Sequence, residues 1–266
     1  MDSFPTTPAP TRTLFLSIAR AAALAAALLA ADALLLNQAS AATYTWDGSS
    51  SANPVATANW VGGVLPTWAA DDDLFFRTVN TGNFTMTLMA DRIVRSLTFG
   101  TNSTNDFKVS LNNTNGNTAY NLTMGNATNA ATITLNATGG NVTIGSGIGS
   151  TFGNITLGNS LTVNQNSTSG LLTIDRSISG GTYGVTKNGA GALTLSGTAN
   201  TWNGTTTVSA GTLTLSGSLT TNGSIAVNGA ANPVLNITGN LTQTLTGNNR
   251  NFVIAGSSNS YGTVNV

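Results

Sequence analysis

Few residues of this chain could carry out nucleophilic, acid–base or metal chemistry. The 266-residue sequence contains no His, no Cys and no Glu. Ser–His and Cys nucleophiles are therefore excluded, as are zinc sites built from His and Cys. The remaining candidates are the consecutive acids Asp71–Asp73, the charged neighbours Asp175 and Arg176, and Lys187.

The acids Asp71–Asp73 are the strongest of these candidates, because clustered carboxylates can act as acid and base or bind calcium. Adjacent residues of a strand point to alternate faces, so the three cannot converge on one substrate without help from elsewhere. We expect them to form a solvated turn before the apolar strand that begins at Leu74, and we expect a second turn at Asp175 and Arg176. The sequence thus predicts no catalytic residue, no cofactor-binding residue, no metal ligand and no enzyme.

Two further motifs carry little weight. The segment Gly145–Gly149 reads GSGIG, but a phosphate loop requires a following helix N-terminus, and the next segment predicts a strand. N-x-S/T triplets occur at several positions, such as Asn121 and Asn236. We attribute them to a composition that is rich in Asn and Thr.

The composition argues against partners that bind through charge. Only 7% of the residues are charged, with nine basic against nine acidic side chains. Nucleic acids and anionic membranes require clustered Lys and Arg, so we expect neither as a partner. Apolar residues make up 40% of the chain, which is enough for a sizeable core.

The elements that must position these residues are short strands. From Leu97 onward, words such as SLTF, TITL and TLTL alternate apolar residues with Thr, Asn or Ser. This alternation is typical of strands with one buried face. Gly and Asn separate the words and mark turns.

One phrase occurs twice: Ala190–Gly197 reads AGALTLSG and Ala210–Gly217 reads AGTLTLSG. Related words recur at a near-constant step, near Ile133, Ile155, Leu172, Leu193, Leu213 and Leu235. Such a step favours a stack of repeats over an antiparallel sandwich. We predict an all-β fold, a right-handed parallel β-helix (β-solenoid) of about eight coils with roughly 20 residues per coil.

Residues 1–41 predict a secretory signal peptide. Arg12 and Arg20 precede the unbroken apolar run Ala21–Ala31, and small residues at Ala39 and Ala41 supply an A-x-A cleavage site. The alternative is a membrane anchor over residues 14–36, but Arg20 and an Asp at position 32 interrupt that stretch. We expect the exported chain to begin near Ala42.

Residues 42–96 differ in kind from the repeats that follow them. They contain three of the four Trp residues, Trp46, Trp60 and Trp68, and the pair Phe75 and Phe76. The terminal unit of a solenoid has to protect its open strand edges. We predict that residues 42–96 form an N-terminal cap or opening module and that residues 97–266 form the solenoid repeats.

The segment Val185–Leu213, VTKNGAGALTLSGTANTWNGTTTVSAGTL, resembles the autotransporter-associated β-strand repeat, also called the passenger-associated transport repeat. Val185 stands where Leu is usual, and Trp202 replaces an aromatic Tyr. The opening segment TYTWDGSSSANPVATANWVGGVLP is similar to the module often found before such repeats. The residues that match the repeat pattern are Lys187, Gly189, Gly191, Leu193, Leu195, Ser196, Gly197, Asn200, Thr201, Gly204, Thr206, Thr207, Val208, Gly211 and Leu213.

The resemblance implies a secreted or cell-surface β-helical passenger of a bacterial protein. Its repeat is associated with export and folding of the passenger and holds no catalytic residues. It further implies a partner in export, either outer-membrane machinery or a C-terminal barrel. Because the sequence ends in mid-strand at Val266, we expect either that the repeats continue past this residue or that the protein reaches its site by another route.

Several functions are compatible with such a chain. A structural or adhesive surface protein could meet glycans or other cells through its long Thr and Asn faces. The alternatives are a β-helical polysaccharide-active enzyme and a repetitive-face module that binds glycans or ice. An ice-binding face would need outward pairs such as Thr212 and Thr214 aligned in consecutive coils, yet Ala192 stands at the position equivalent to Thr212.

Overall fold

The computed structural model describes residues 42–48, 51–77, 84–100, 106–138, 140–146, 149–244, 252–254 and 261–266. The segment Ala41–Val266 forms one compact unit. The predicted signal peptide, residues 1–41, lies outside the described residues and stays a prediction.

The described strands form three faces, which the chain visits in turn. The first face contains β1 (Thr43–Trp46), β2 (Asp73–Phe76), β5 (Ser96–Phe99), β8 (Ala131–Leu135), β11 (Leu161–Gln165), β14 (Val185–Asn188), the first halves of β17 (Thr206–Leu215) and β19 (Ile225–Ile237), and β21 (Phe252–Ile254). The second contains β3 (Phe84–Thr87), β6 (Phe107–Ser110), β9 (Val142–Gly145), β12 (Leu172–Ile174), β15 (Ala192–Leu195), the second halves of β17 and β19, and β22 (Thr263–Asn265). The third contains β4 (Arg92–Val94), β7 (Leu122–Met124), β10 (Ile155–Leu157), β13 (Ile178–Gly181), β16 (Thr201–Trp202), β18 (Ser218–Thr221) and β20 (Asn240–Gln243). Two short 3-10 helices, Thr57–Asn59 and Val61–Gly63, complete the described elements.

Within each face, strands of successive coils pair in parallel, for example β12 with β9 and β15. On the third face, the sheet of β4 to β16 and the sheet of β18 and β20 are joined by a single parallel bridge between Asn200 and Leu219. A chain that passes over three faces and pairs in parallel on each of them is a parallel β-helix. The predicted all-β parallel β-helix is therefore confirmed, and the antiparallel sandwich is excluded.

The repeated phrase marks one interior column of the second face. Leu172, Leu193, Leu213 and Leu235 are successive register partners there. The predicted step is wrong at two positions, however, because Ile133 pairs with Val163 on the first face, whereas Ile155 pairs with Ile178 on the third.

The upstream coils are also longer than the repeat predicted. Leu97 of β5 has its register partner at Ile133 of β8, whereas Leu193 of β15 has its partner at Leu213 of β17. The extra residues of the upstream coil lie in the connections between its strands.

The interior of the β-helix is apolar and follows the strand alternation. In β17, Leu213 and Leu215 are 0% and 2% exposed, whereas the intervening Thr214 faces outward and is half-buried. The outward position of the second face is occupied by Thr in four consecutive coils, at Thr143, Thr173, Thr194 and Thr214. Burial of apolar side chains in these columns is the main source of stability.

Glycine allows the corners of successive short coils to stack. A Cβ on Gly217 would overlap the carbonyl oxygen of Gly197, and a Cβ on Gly239 would overlap that of Gly217. Backbone therefore packs directly on backbone at this corner, which only a residue without a side chain permits.

Residues 42–96 contribute strands to the same faces as the downstream coils. β1 pairs with β2, and β2 pairs with β5, which begins at Ser96. The ladder is thus continuous across the boundary that the sequence predicted at residue 96. The ring of Trp46 meets that of Trp60 edge to face at a centroid distance of 5.1 Å, and the role of this segment as a cap stays a prediction.

None of the helices in the described part of the chain has the length and apolar character to cross a membrane.

Candidate functional site

Asp72 closes a turn in the candidate acid cluster. Its Oδ2 accepts hydrogen bonds from the Thr67 hydroxyl at 2.8 Å and from the Ala69 backbone N–H at 3.2 Å. Asp72 is only 2% exposed. Asp71 and Asp72 precede the apolar strand, as expected, but Asp73 is the first residue of β2. The expectation of a solvated turn is also wrong for Asp72, which is buried.

Asp73 faces outward from β2 and is held by two neighbours. The Arg95 guanidinium donates to both carboxylate oxygens, with Nε 2.9 Å from Oδ1, and the Ser96 hydroxyl donates at 2.6 Å. Burial raises the pKa of Asp73, but these hydrogen bonds and the charge of Arg95 outweigh it, so the pKa lies below its ordinary value. A carboxylate held ionised in this way is not suited to donate a proton at neutral pH.

Asp73 and Arg95 lie in a groove of ≈ 440 Å³ on the first face. Its floor is a column of register partners, Asp73, Ser96 and Thr132, from three consecutive coils. One wall is the loop that precedes β8. The lining residues are Asp73, Arg95, Ser96, Thr98, Thr128, Asn129, Ala130 and Thr132.

Asp175 and Arg176 border a second, smaller groove of ≈ 270 Å³. Asp175 accepts hydrogen bonds from the Ser146 hydroxyl and from its backbone N–H, the latter at 2.8 Å. The Arg176 guanidinium lies over the Phe152 ring, 5.0 Å from its centroid. The predicted turn pair is thus an ion pair that ties two coils together through Ser146.

The Gly-rich segment at Gly145 contributes to the same corner. Gly145 ends β9 with φ of 133°, a conformation that L side chains rarely adopt, and a Cβ there would overlap the Asp175 carboxylate. Residues 147 and 148 of this segment lie outside the described residues.

Lys187 lies inside the β-helix, a position that the sequence interpretation did not predict. Its side chain is 0% exposed and occupies the interior column between Val163 and Val208. The ammonium donates to the carbonyl oxygens of Asn188 at 2.8 Å, Gly189 at 2.7 Å and Ala210 at 3.0 Å. Burial lowers the pKa of Lys187 to about 8.

The sequence contained a signal for this position. Val185 and Lys187 are two residues apart in one strand, and period-2 alternation puts both on the same side. The interpretation of Lys187 as a mere match to the repeat pattern left its buried role unnoticed.

Other polar residues of the repeat hold its third-face corner. The Asn200 side chain accepts from Ile178 N–H at 2.9 Å and donates to the carbonyl oxygens of Gly197 and Ser218, each at 2.8 Å. The Trp202 indole N–H donates to the Thr206 hydroxyl at 2.7 Å. Both side chains are buried, and their polar groups are hydrogen-bonded within the β-helix.

The alternative functions would need either a metal-binding cluster of acids or a continuous face of paired threonines. Within the described residues, no group of three or more Asp side chains could hold a metal ion. Thr212 lies between Ala192 and Val234 in its column, so the paired threonines of an ice-binding face do not continue into either neighbouring coil.

The comparison with known families identifies one part of the chain. Residues 185–215 match the model of the passenger-associated-transport-repeat, in agreement with the resemblance drawn from the sequence. The match covers β14 to β17. It includes the coil that contains Lys187, Asn200 and Trp202 and continues into the next coil. No curated protein and no solved structure matches the chain significantly.

Proposed function

From the passenger-associated transport repeat at residues 185–215, we propose that this chain is a secreted or cell-surface passenger of a bacterium, and that it serves as a structural or adhesin-like β-helix. The repeat is the observation that carries the proposal. Export to the surface would require outer-membrane machinery as a partner.

The repeat residues support a role in folding and display. Lys187 and Asn200 bind backbone carbonyls of neighbouring coils, and Gly211, with φ of 63°, packs against the Gly191 carbonyl oxygen. Leu193 and Leu213 fill the interior. Each of these residues stabilises the stack of coils, so the repeat is suited to a passenger that folds after export.

We further propose that the chain is not an enzyme. Asp72 is buried and hydrogen-bonded to Thr67 and Ala69, and Asp73 is paired with Arg95. Neither carboxylate is free to act as a general acid, and a substrate would have to displace these contacts.

Cell fractionation with N-terminal sequencing tests the export proposal. The full gene is expressed in a Gram-negative host, and we expect the chain at the cell surface or in the medium, beginning at or near Ala42. A chain that stays in the cytoplasm with Met1 intact would contradict the proposal.

An activity screen tests the proposal that the chain has no catalysis. The purified full chain is incubated with pectins, glucans and chitin, and we expect no hydrolysis or elimination. Turnover that disappears in Asp72→Asn or Asp73→Asn would identify a polysaccharide-active enzyme instead.

A further inference from the structure

The groove at Asp73 and Arg95 has a rigid wall. The Asn126 side chain accepts from the backbone N–H of Thr128 at 2.9 Å, from the Thr128 hydroxyl at 2.8 Å and from the backbone N–H of Asn129 at 2.8 Å. These bonds fold residues 126–129 into a compact loop beside the floor strands. The groove is thus formed before any ligand arrives.

The groove presents hydrogen-bonding groups that the described protein does not use. The side chains of Thr98, Asn129 and Thr132 line it, and none of them donates or accepts a hydrogen bond within the described part of the chain. Arg95 uses only its Nε and Nη2 groups on Asp73, which leaves further N–H donors of the guanidinium for a ligand.

The charge of the groove indicates a neutral ligand. Asp73 and Arg95 neutralise each other. The hydrogen bond to Asp73, together with the charges of Asp73 and Asp71, raises the pKa of Arg95. The groove has no excess of positive charge, which a phosphate or an acidic polysaccharide would require.

The outward side of the same strand adds an apolar surface. Phe75 is two residues from Asp73 and is the register partner of Thr98. Its ring is half-buried and packs above Gly100, where a Cβ would lie 2.8 Å from Cζ of the ring. The ring is not one of the lining residues of the groove, so recognition rests on the hydroxyl, amide and guanidinium groups, which match the hydroxyls of a sugar.

We infer that this groove is a binding site for a neutral oligosaccharide, with Thr98, Asn129 and Thr132 binding its hydroxyls and the Asp73–Arg95 pair orienting them. The inference rests on the proposed surface function, because it gives the adhesive face a location and a ligand class. Its volume of ≈ 440 Å³ is in the range of small-ligand sites.

Binding is tested with the full chain and with soluble oligosaccharides of four to six units. The neutral probes are cello-, xylo-, manno- and chito-oligosaccharides, and the acidic probe is oligogalacturonate. Calorimetry at ligand concentrations up to about 5 mM detects dissociation constants of about 1 mM. We expect at least one neutral probe to bind and oligogalacturonate not to bind.

The chain offers matched variants for this site. Thr132→Val and Asn129→Ala should each weaken the bound probe by about threefold to tenfold, the effect of one lost hydrogen bond. Thr162→Val is the control, because Thr162 is the register partner of Thr132 in the next coil and lies outside the groove. It should leave the affinity unchanged, and circular dichroism checks that all three variants fold.

Three results would overturn the inference: no neutral probe binds, only oligogalacturonate binds, or Thr132→Val and Thr162→Val have equal effects. An exported chain that binds no neutral probe would refute this site and leave the proposed surface function standing. A chain that binds a neutral probe but stays in the cytoplasm would refute the surface function instead.

Discussion

In the downstream coils one turn of the β-helix takes the chain from Leu193 to its register partner Leu213, whereas upstream one turn takes it much further, from Leu97 to Ile133. The short coils have short connections between their strands, and at their corners glycine packs directly on glycine, as at Gly217 on Gly197. The longer coils carry loops that project beside the faces. One such loop forms the wall of the groove at Asp73.

The distribution of polar side chains differs in the same way. In the repeat coil, Lys187, Asn200 and Trp202 are buried and bound to their own or neighbouring coils. In the upstream coils, polar side chains such as Thr98 and Asn129 line an open groove. The repeat coil thus uses these polar side chains to hold neighbouring coils together, whereas we propose that the groove of the upstream coils uses its polar side chains to bind a ligand.

The largest loss of stability is expected from the interior column of the short coils. Leu213→Ala should cost about 2–5 kcal/mol, and Leu213→Asp should cost more, because an unpaired carboxylate inside the β-helix loses its hydration. Thr214→Asp, on the outward side, should stay within about 0.5 kcal/mol. Denaturant unfolding of the full chain measures all three, and equal losses at Leu213 and Thr214 would contradict the strand phase.

Glycine substitutions compare a stacked corner of the short coils with Gly62, which lies in the 3-10 helix Val61–Gly63. Gly217→Ala should cost about 3 kcal/mol, since the new methyl would overlap the Gly197 carbonyl oxygen and force backbone apart. Gly62→Ala in the upstream region has open space around it and φ of 78°, so it should cost only about 1–2 kcal/mol of backbone strain. Thermal unfolding of both variants decides the order, and a smaller loss at Gly217 would refute direct backbone stacking.

Lys187→Met tests the buried amine. The substitution leaves three carbonyl oxygens without their donor, but it also removes the cost of burying a charge. We therefore expect the free energy of unfolding to fall by only about 1–2 kcal/mol at pH 7. Lys108→Met is the matched control, because Lys108 is exposed on β6, and it should change stability by less than about 0.5 kcal/mol. Urea unfolding compares the two variants with the parent, and equal losses would contradict the buried role of Lys187.

The same amine makes stability depend on pH. The pKa of Lys187 is lowered by burial from 10.5 to about 8, so between these pH values the unfolded chain binds more protons than the folded chain. The free energy of unfolding should therefore rise with pH in this window, by at most about 3 kcal/mol. Urea titrations from pH 7 to pH 10 should show this rise in the parent and in Lys108→Met but not in Lys187→Met; a rise that survives in Lys187→Met would assign it to another group.

The downstream half of the fold could be predicted because its signals are local. Strand alternation and the doubled phrase at Ala190 and Ala210 place Leu193 and Leu213 in one column, and the structure pairs them. The constant step of the repeated words also argues against a sandwich. These features need no knowledge of distant contacts.

The upstream half and the groove could not be predicted, because their register is set by loops of varying length. Apolar words at Ile133 and Ile155 look alike, yet they lie on different faces. Asp73 and Thr132 meet in one groove although they are far apart in the sequence, and nothing in the local sequence of either residue indicates the other. The burial of Lys187, by contrast, follows from its alternation with Val185 and was predictable in principle.

The central claim is that successive coils stack in register along one axis, and a spin-label distance tests it most directly. The outward positions Thr143, Thr173, Thr194, Thr214 and Asn236 are consecutive register partners, and the chain has no native Cys to interfere. Labels at Thr143→Cys and Asn236→Cys span four coil spacings, so pulsed electron–electron double resonance should give a narrow distance of about 19 Å before the label tethers are added. A distance well above about 30 Å, or a broad distribution, would contradict the stacked β-helix.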